Sequence, residues 1–367
     1  MKRFIFILFV LLISFSCIHV EEDQVINDLL ESKLVTAEPI LQVEENAEDL
    51  FGFLGELTVD SKGQIYVTDT QSRSVRIYAQ DGNLVQTVGR EGRGPGEFLS
   101  VSNLTVDPQK QTIWVYDVSQ LRVSSFTPLA DATWGHKAQF SIETNNGYPI
   151  QVHVTNDRFV IYSMRTVRDE DPQQLEITLQ SVSIEERVLN EEILTYSESE
   201  VVVQETGGEF VPIHPIPFGW QTHGIIEQSG RIYISKSDSL RVRVFDLDGQ
   251  KINEIKNQIR YQPITAQDID EYGVSPDDPT YSLIPDHHPA FIDLQIDNMG
   301  RPWFNLGEFE EDVNTWVVLD NSGSLVIAVK LPSTLSVHQI RGQNIYGIHQ
   351  NEIGQQSIMV YSVPTPD

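Results

Sequence analysis

The sequence predicts an all-β chain built from repeated four-stranded antiparallel meanders, and three observations carry that prediction. Apolar residues alternate in short runs, Leu57 and Val59, Ile65 and Val67, Val75 and Ile77, Leu84 and Val88, which is the period of strands rather than helices. Between the runs stand Asp60-Ser61-Lys62-Gly63, Asp69-Thr70-Gln71-Ser72 and Asp81-Gly82-Asn83, residues that favour tight turns. The unit then recurs. DTQSRSVRIY from Asp69 is answered without a gap by DVSQLRVSSF from Asp117 and KSDSLRVRVF from Lys236. GQIYV from Gly63 is answered by QTIWV from Gln111, GRIYI from Gly230 and GRPWF from Gly300. One four-stranded sheet with two apolar faces cannot bury itself, so the copies must stack face to face.

The stretch from Leu57 to Gly89, LTVDSKGQIYVTDTQSRSVRIYAQDGNLVQTVG, followed by REGRGPGEF, resembles the NHL-repeat family. GREGRGPGEF is similar to that family's glycine-rich connection between blades. The resemblance is closest over blades one and two, then blade four. It implies a β-propeller, with six blades in secreted bacterial relatives. It leaves the chemistry open, because that fold carries lyases, lactonases and plain binding platforms.

In chain order, Lys2 and Arg3 precede an apolar run from Phe4 to Ile13 and then Ser14-Phe15-Ser16, the plan of a secretory signal over residues 1–16. The run is shorter than the roughly 20 apolar residues of a spanning helix. Cys17, the single cysteine, stands where the lipobox of bacterial lipoproteins places its lipidated residue, although Ser14 and Phe15 depart from the usual pattern. The alternative is cleavage and release of an unanchored protein. Residues 17–33 read as a polar spacer with a short helix at Val25 to Leu30, and residues 34–364 as a single propeller domain.

Leu34 to Val43 is strand-like and precedes the first repeat, while the last repeat, Leu335 to Val363, has only three strands of its own. The N-terminal strand is therefore expected to complete the final blade, closing the ring and covering an edge. Blades one and two span Glu56–Val88 and Asn103–Phe140. Blade three begins at Gln151, blade four at His223, blade five near Ile292 and blade six at Leu335. Two inserts interrupt the spacing. Ser197 to Gln221 reads as an excursion holding Gly207-Gly208 and Pro212, Pro215 and Pro217. Lys256 to Phe291 contains Thr265 with Asp268 three positions on, a capping-box start for a short helix. Both inserts join an outer strand to the next inner strand, so both should share one rim, where binding residues concentrate.

Stepping one residue before the first anchor of each inner strand gives equivalent positions at the channel mouth: Glu56, Asn103, Gln151, His223, Asp293 and Val337. Oxygen donors from Glu56, Asn103 and Asp293 suit Ca²⁺, and a single His does not make a zinc site. This pattern resembles gluconolactonase-like six-bladed enzymes, which implies a divalent metal at the channel mouth. The bland alternative is that water filling the channel makes these positions polar. Trp220 is the best-placed rim aromatic for a ligand, while Trp134, Trp303 and Trp316 read as packing between blades. Adjacent His287 and His288 point apart in an extended chain and do not form a metal pair.

The formal net charge is −28, which repels phosphate backbones and excludes nucleic acid as a partner. The expected function is that of a binding or scaffold protein at the cell envelope, tethered to the membrane through Cys17 and acting through the insert-bearing rim and channel mouth. Its partner would be an envelope protein, a peptide or a small molecule. The alternative is a divalent-metal-dependent, lactonase-like hydrolase or lyase using Glu56, Asn103, His223 and Asp293.

Overall fold

The computed structural model describes residues 32–47, 49–107, 111–131, 133–155, 158–167, 173–185, 189–206, 209–258, 262–278 and 280–364. The expected leader, Cys17 and most of the spacer lie outside the described residues. No helix among the described residues is long and apolar enough to cross a membrane.

Two N-terminal strands, β1 (Leu34–Thr36) and β2 (Glu38–Glu44), come before the repeats. Blade one is β3 (Leu54–Val59), β4 (Ile65–Asp69), β5 (Ser74–Tyr78) and β6 (Leu84–Val88). Blade two is β7 (Asn103–Asp107), β8 (Thr112–Asp117), β9 (Arg122–Pro128) and β10 (Trp134–Ser141). Blade three holds β11 (Tyr148–Thr155), β12 (Arg158–Val167), β13 (Gln173–Ser183), β14 (Leu189–Thr206) and a fifth strand, β15 (Glu209–Pro215). Blade four is β16 (Thr222–Ile226), β17 (Ile232–Lys236), β18 (Arg241–Phe245) and β19 (Lys251–Lys256). Blade five is β20 (Asp293–Ile296), β21 (Pro302–Glu310), β22 (Val313–Leu319) and β23 (Leu325–Pro332). Blade six has β24 (Leu335–Arg341), β25 (Asn344–Gln350) and β26 (Gln356–Ser362). The fold is an all-β, six-bladed propeller of antiparallel blades.

The ring closes as the sequence implies, because β2 pairs antiparallel with β26 and supplies the fourth strand of blade six. The stretch expected as one strand is nevertheless two. Leu34–Thr36 runs parallel along β23 of blade five, and the chain crosses at Ala37, whose N–H still bonds Lys330 O at 3.2 Å, before joining blade six. A second difference concerns the excursion at Ser197. Strand β14 runs on to Thr206 and folds back as β15, so that segment extends blade three instead of looping away. Its Ser-Glu-Ser-Glu run lacks the apolar alternation by which a strand is recognised in a sequence.

The repeated turns have a common cause. In blade one Asp60 Oδ1 accepts the N–H groups of Lys62 and Gln64, and in blade five Asp297 Oδ1 accepts those of Met299 and Arg301. Gly63 and its counterpart Gly300 sit at φ +80° and +77° in these turns, a conformation that disfavours other residues. Asp69 and Asp117 are structural. Asp69 takes the N–H groups of Gly52, Phe53 and Ser72, and Asp117 those of Leu99 and Gln120.

The core lies between blades, one apolar cluster at each join. Tyr66, Val75 and Ile77 meet Leu104, Ile113 and Trp134 between blades one and two, with Tyr66 edge-on to Trp134 at 5.6 Å. Trp303 and Trp316 fill the join of blades five and six. Among the described residues the cluster between blades three and four leans most on partly buried side chains, Tyr196, Leu194 and Ile193 of β14 among them.

Candidate functional site

Because strand side chains alternate, each inner strand sends every second residue towards the axis. The expected row keeps its register in blades two to five, with Asn103 opposite Tyr116, Gln151 opposite Tyr162, His223 opposite Ser235 and Asp293 opposite Asn305. Val337, however, lies opposite Gly347, one step out of the row, because the strand bulges between Val337 and Gln339, and its side chain is buried in the join of blades five and six. A second row two residues on was not singled out from sequence, although the same alternation would have found it. Thr58, Thr105, His153, Ile225, Gln295 and Gln339 all line a central channel cavity of about 430 Å³.

Part of this polarity knits the blades together. An inner strand has one edge without a partner strand, and its backbone groups must be satisfied by other means. Gln339 Oε1 of blade six accepts Val59 N–H of blade one at 2.6 Å. Gln295 Nε2 of blade five donates to Val337 O of blade six at 3.1 Å. Glu56 Oε2 accepts Leu104 N–H of blade two at 2.8 Å and Asn103 Nδ2 at 2.9 Å. Blades five, six, one and two are thus stapled across the channel. On the arc of blades two and three the buried Asn103 Oδ1, Thr105 Oγ1 and His153 Nε2 have no hydrogen-bond partner.

That arc leads to a second cavity. Inner strands pack along one another round the ring except between blades three and four, where the close neighbour of β16 is β14 and not β11. The opening, about 400 Å³, is lined by Gln151, Tyr162, Tyr196, Glu198 and His223, with Ile150, Ile177 and Ile225 as its apolar wall. Gln151, Tyr162, Gly224 and Ile225 line both cavities, so the crevice adjoins the channel. Tyr196 reaches across from β14 because residue 224 is glycine; a Cβ there would lie 2.3 Å from its hydroxyl.

Of the residues expected at the site, the structure brings Glu56, Asn103 and Gln151 together, Gln151 Nε2 standing 3.4 Å from Glu56 Oε1. His223 lines the crevice beside Gln151, its ring 5.2 Å from that of Phe291. Asp293 lines neither cavity, and its Oδ1 accepts Leu294 N–H at 2.7 Å. Trp220 belongs to the rim: its Nε1 donates to His287 O at 3.3 Å and its ring lies 4.6 Å from His287. Phe218 packs on Tyr272 and His288. The two inserts therefore meet on one rim. The capping box forms as expected on α1 (Ala266–Tyr272), with Thr265 and Asp268 exchanging hydrogen bonds. His287 and His288 turn to separate carboxylates, Asp286 and Asp268.

The donor set does not compose the expected Ca²⁺ shell. Asn103 presents its amide N–H to Glu56, so the two oxygens do not face a common centre, and Asp293 stands outside the lining. Among the described residues no three His, Cys, Asp or Glu side chains are grouped to hold a metal.

Burial governs the charge states. It pushes Glu56 above the usual carboxylate range, against the bonds from Leu104, Asn103 and Gln151. It raises Asp293 to about 6, against Leu294 and Gln295. Desolvation also raises Glu198 and lowers His223, and it raises Tyr162 together with the charges of Tyr196 and Glu56. His153 and His338 fall to about 4 by desolvation alone.

A histidine whose folded value is depressed favours its neutral form. Its contribution is complete above the unfolded value of about 6.5 and drains away as pH falls towards 4, each histidine accounting for about 3 kcal/mol at most. Asp293 works the other way, gaining stability as pH falls from 6 towards its unfolded value of about 3.9. The two histidines outweigh it. Urea midpoints should therefore fall between neutral pH and pH 4.5, and His153→Leu should remove most of that fall, because Asp293 already offsets part of what the two histidines lose. A variant that loses as much as the parent would contradict the assignment.

In architecture the chain is similar to a Bacteroides fragilis protein named as an exported protein, at 10% identity and a TM-score of 0.53, covering 90% of this chain and 96% of that one. It is also similar to a member of the DUF4221 family from Bacteroides vulgatus, at 11% identity and a TM-score of 0.50, covering 89% and 97%. Identities this low show the fold alone. No curated protein matches the chain. The model of DUF5128, described as a 6-bladed beta-propeller, matches residues 24–213, more than half of the sequence. With the family match and six observed blades in agreement, the chain belongs to the DUF5128 family of six-bladed β-propellers.

Proposed function

We propose that this propeller is an exported, lipid-anchored binding protein of the cell envelope, with NHL-like blades, that engages its partner through the insert-bearing rim and the channel mouth beneath it. The observation that carries the reading is the rim itself. Two inserts from different joins interlock through Trp220–His287 and Phe218–Tyr272–His288. They leave Tyr272 58% and Tyr281 37% exposed on a rigid scaffold. Large aromatic groups held in solvent on a fixed frame are the usual anchors of an interface. The sequence around Cys17 supports the anchor, and the fold shared with a protein named as exported is consistent with it. The hydrolase alternative draws less support, since Glu56 and Asn103 are engaged with one another and Asp293 lies outside both cavities.

Two measurements in cells test this. Cys17→Ser should abolish lipid labelling and move the protein from the membrane to the soluble fraction. A photo-cross-linking residue at Tyr272 should give a discrete adduct with one envelope component, and the same probe at Val85, exposed on β6, should give none. Identical products from both positions, or membrane retention of the Cys17 variant, would refute the proposal.

A further inference from the structure

The crevice between blades three and four holds a carboxylate, Glu198, and no Lys or Arg among its described lining residues. Glu198 has no protein donor among the described residues, and the hydroxyls of Tyr162 and Tyr196, which can accept as well as donate, are likewise without partners. At the adjoining channel, Asn103 Oδ1 is a buried acceptor with none. The amide N–H of Gln151 is drawn towards Glu56. The lining's donors, among them Gln221, Thr222 and the two tyrosines, carry no fixed positive charge, so the carboxylate of Glu198 stands without a counter-charge, and a charge drawn out of water unpaired is costly. A ligand that fits must bring N–H or O–H groups and no negative charge. The chain's net charge of −28 further favours a cation over a neutral molecule.

We propose that this crevice is a binding site for a small organic cation, a protonated amine. Its N–H donors meet Glu198 and the hydroxyls of Tyr162 and Tyr196, and its carbon skeleton lies against Ile150, Ile177 and Ile225. The volume, about 400 Å³, is within the range of small-ligand sites. The charge-assisted bond to Glu198 supplies the selectivity, and the tyrosine rings add the attraction of a cation for an aromatic face. Gly224 is part of the design, since any side chain there would displace Tyr196. The inference rests on reading the chain as a binding protein but uses a different surface from the rim.

Calorimetric titration of the purified protein with 2-phenylethylamine, and with its neutral counterpart 2-phenylethanol, tests the proposal near neutral pH. The amine should bind at least about tenfold more tightly than the alcohol, and Glu198→Gln should erase that preference. The thermal midpoint of Glu198→Gln should stay within about 2 °C of the parent, because the residue is half-buried and unpaired, which separates a lost contact from a lost fold. Tyr196→Phe should weaken the amine by a smaller factor. Equal binding of amine and alcohol, a preference that survives Glu198→Gln, or no binding of either compound would overturn the proposal. None of these results would alter the Tyr272 adduct or the Cys17 fractionation, so the two readings fail separately.

Discussion

Arg76→Met should destabilise the protein by about 3–5 kcal/mol, among the largest effects of any single substitution. Arg76 is buried on β5, with Nη2 3.0 Å from Asp69 Oδ2, Nη1 paired with Asp49, and Nη2 also donating to Leu50 O. Tyr78 OH completes the group, donating to Asp49 Oδ2 at 2.9 Å. Asp69 is fully buried; the cost of burial is outweighed by the N–H groups of Ser72, Gly52 and Phe53 and by Arg76, which hold its carboxyl below the usual range. Methionine keeps most of the stem but leaves two buried carboxylates facing each other without a counter-charge, and that uncompensated charge dominates the loss. A depressed carboxyl stabilises the fold above its unfolded value of about 3.9 and loses that contribution as pH falls. The variant's deficit in urea midpoint should accordingly shrink in acid. A deficit under about 1 kcal/mol at neutral pH would show that the pair contributes no more than an exposed one.

Val43→Asp should cost about 3–5 kcal/mol and favour association between molecules. Val43 is the buried residue of β2, packed with Tyr78, Tyr346, Ile358 and Val360 where blade six meets blade one. A carboxylate placed there has no partner among those apolar neighbours, and the strand that covers β26 would lift away. The exposed edge then becomes a template for pairing with other chains. Ile40, 57% exposed at a bulge of the same strand, is the control, and Ile40→Asp should change stability by less than about 0.5 kcal/mol. Denaturant midpoints and size-exclusion profiles measure both. Similar losses from the two substitutions would mean that β2 acts through its presence alone and not through the packing of Val43.

Much of the architecture was legible because it is periodic. The Gly-x-Ile-Tyr-Val strand, the Asp-Gly turns and the three-stranded final repeat each announce a local geometry, and together they leave one way to bury the faces. The inner-strand row from Asn103 to Asp293 keeps its register for the same reason and slips at Val337, where a bulge that no pattern announces displaces the strand. What was hidden depends on relations between blades. Gln295 and Gln339 look like ordinary polar residues until the neighbouring strand's free N–H and C=O groups are in view. Glu198 lies in a polar run that reads as a loop, and its place against β16 follows only once β14 continues through Thr206. Asp293 shows the converse: its place in the row was read correctly, yet it lines neither cavity. The opening between blades three and four had no sequence signal beyond Gly224, and one glycine in a strand is a weak one.

The ring is loosened between blades three and four, and in our proposal the opening there receives a small organic cation. A crystal of the protein soaked in 2-phenylethylamine tests it most directly. β11 and β16 should stand apart, with density for the amine between Tyr162, Tyr196 and Glu198. Finding β11 packed along β16 as at the other joins, with no crevice for the amine to enter, would contradict it.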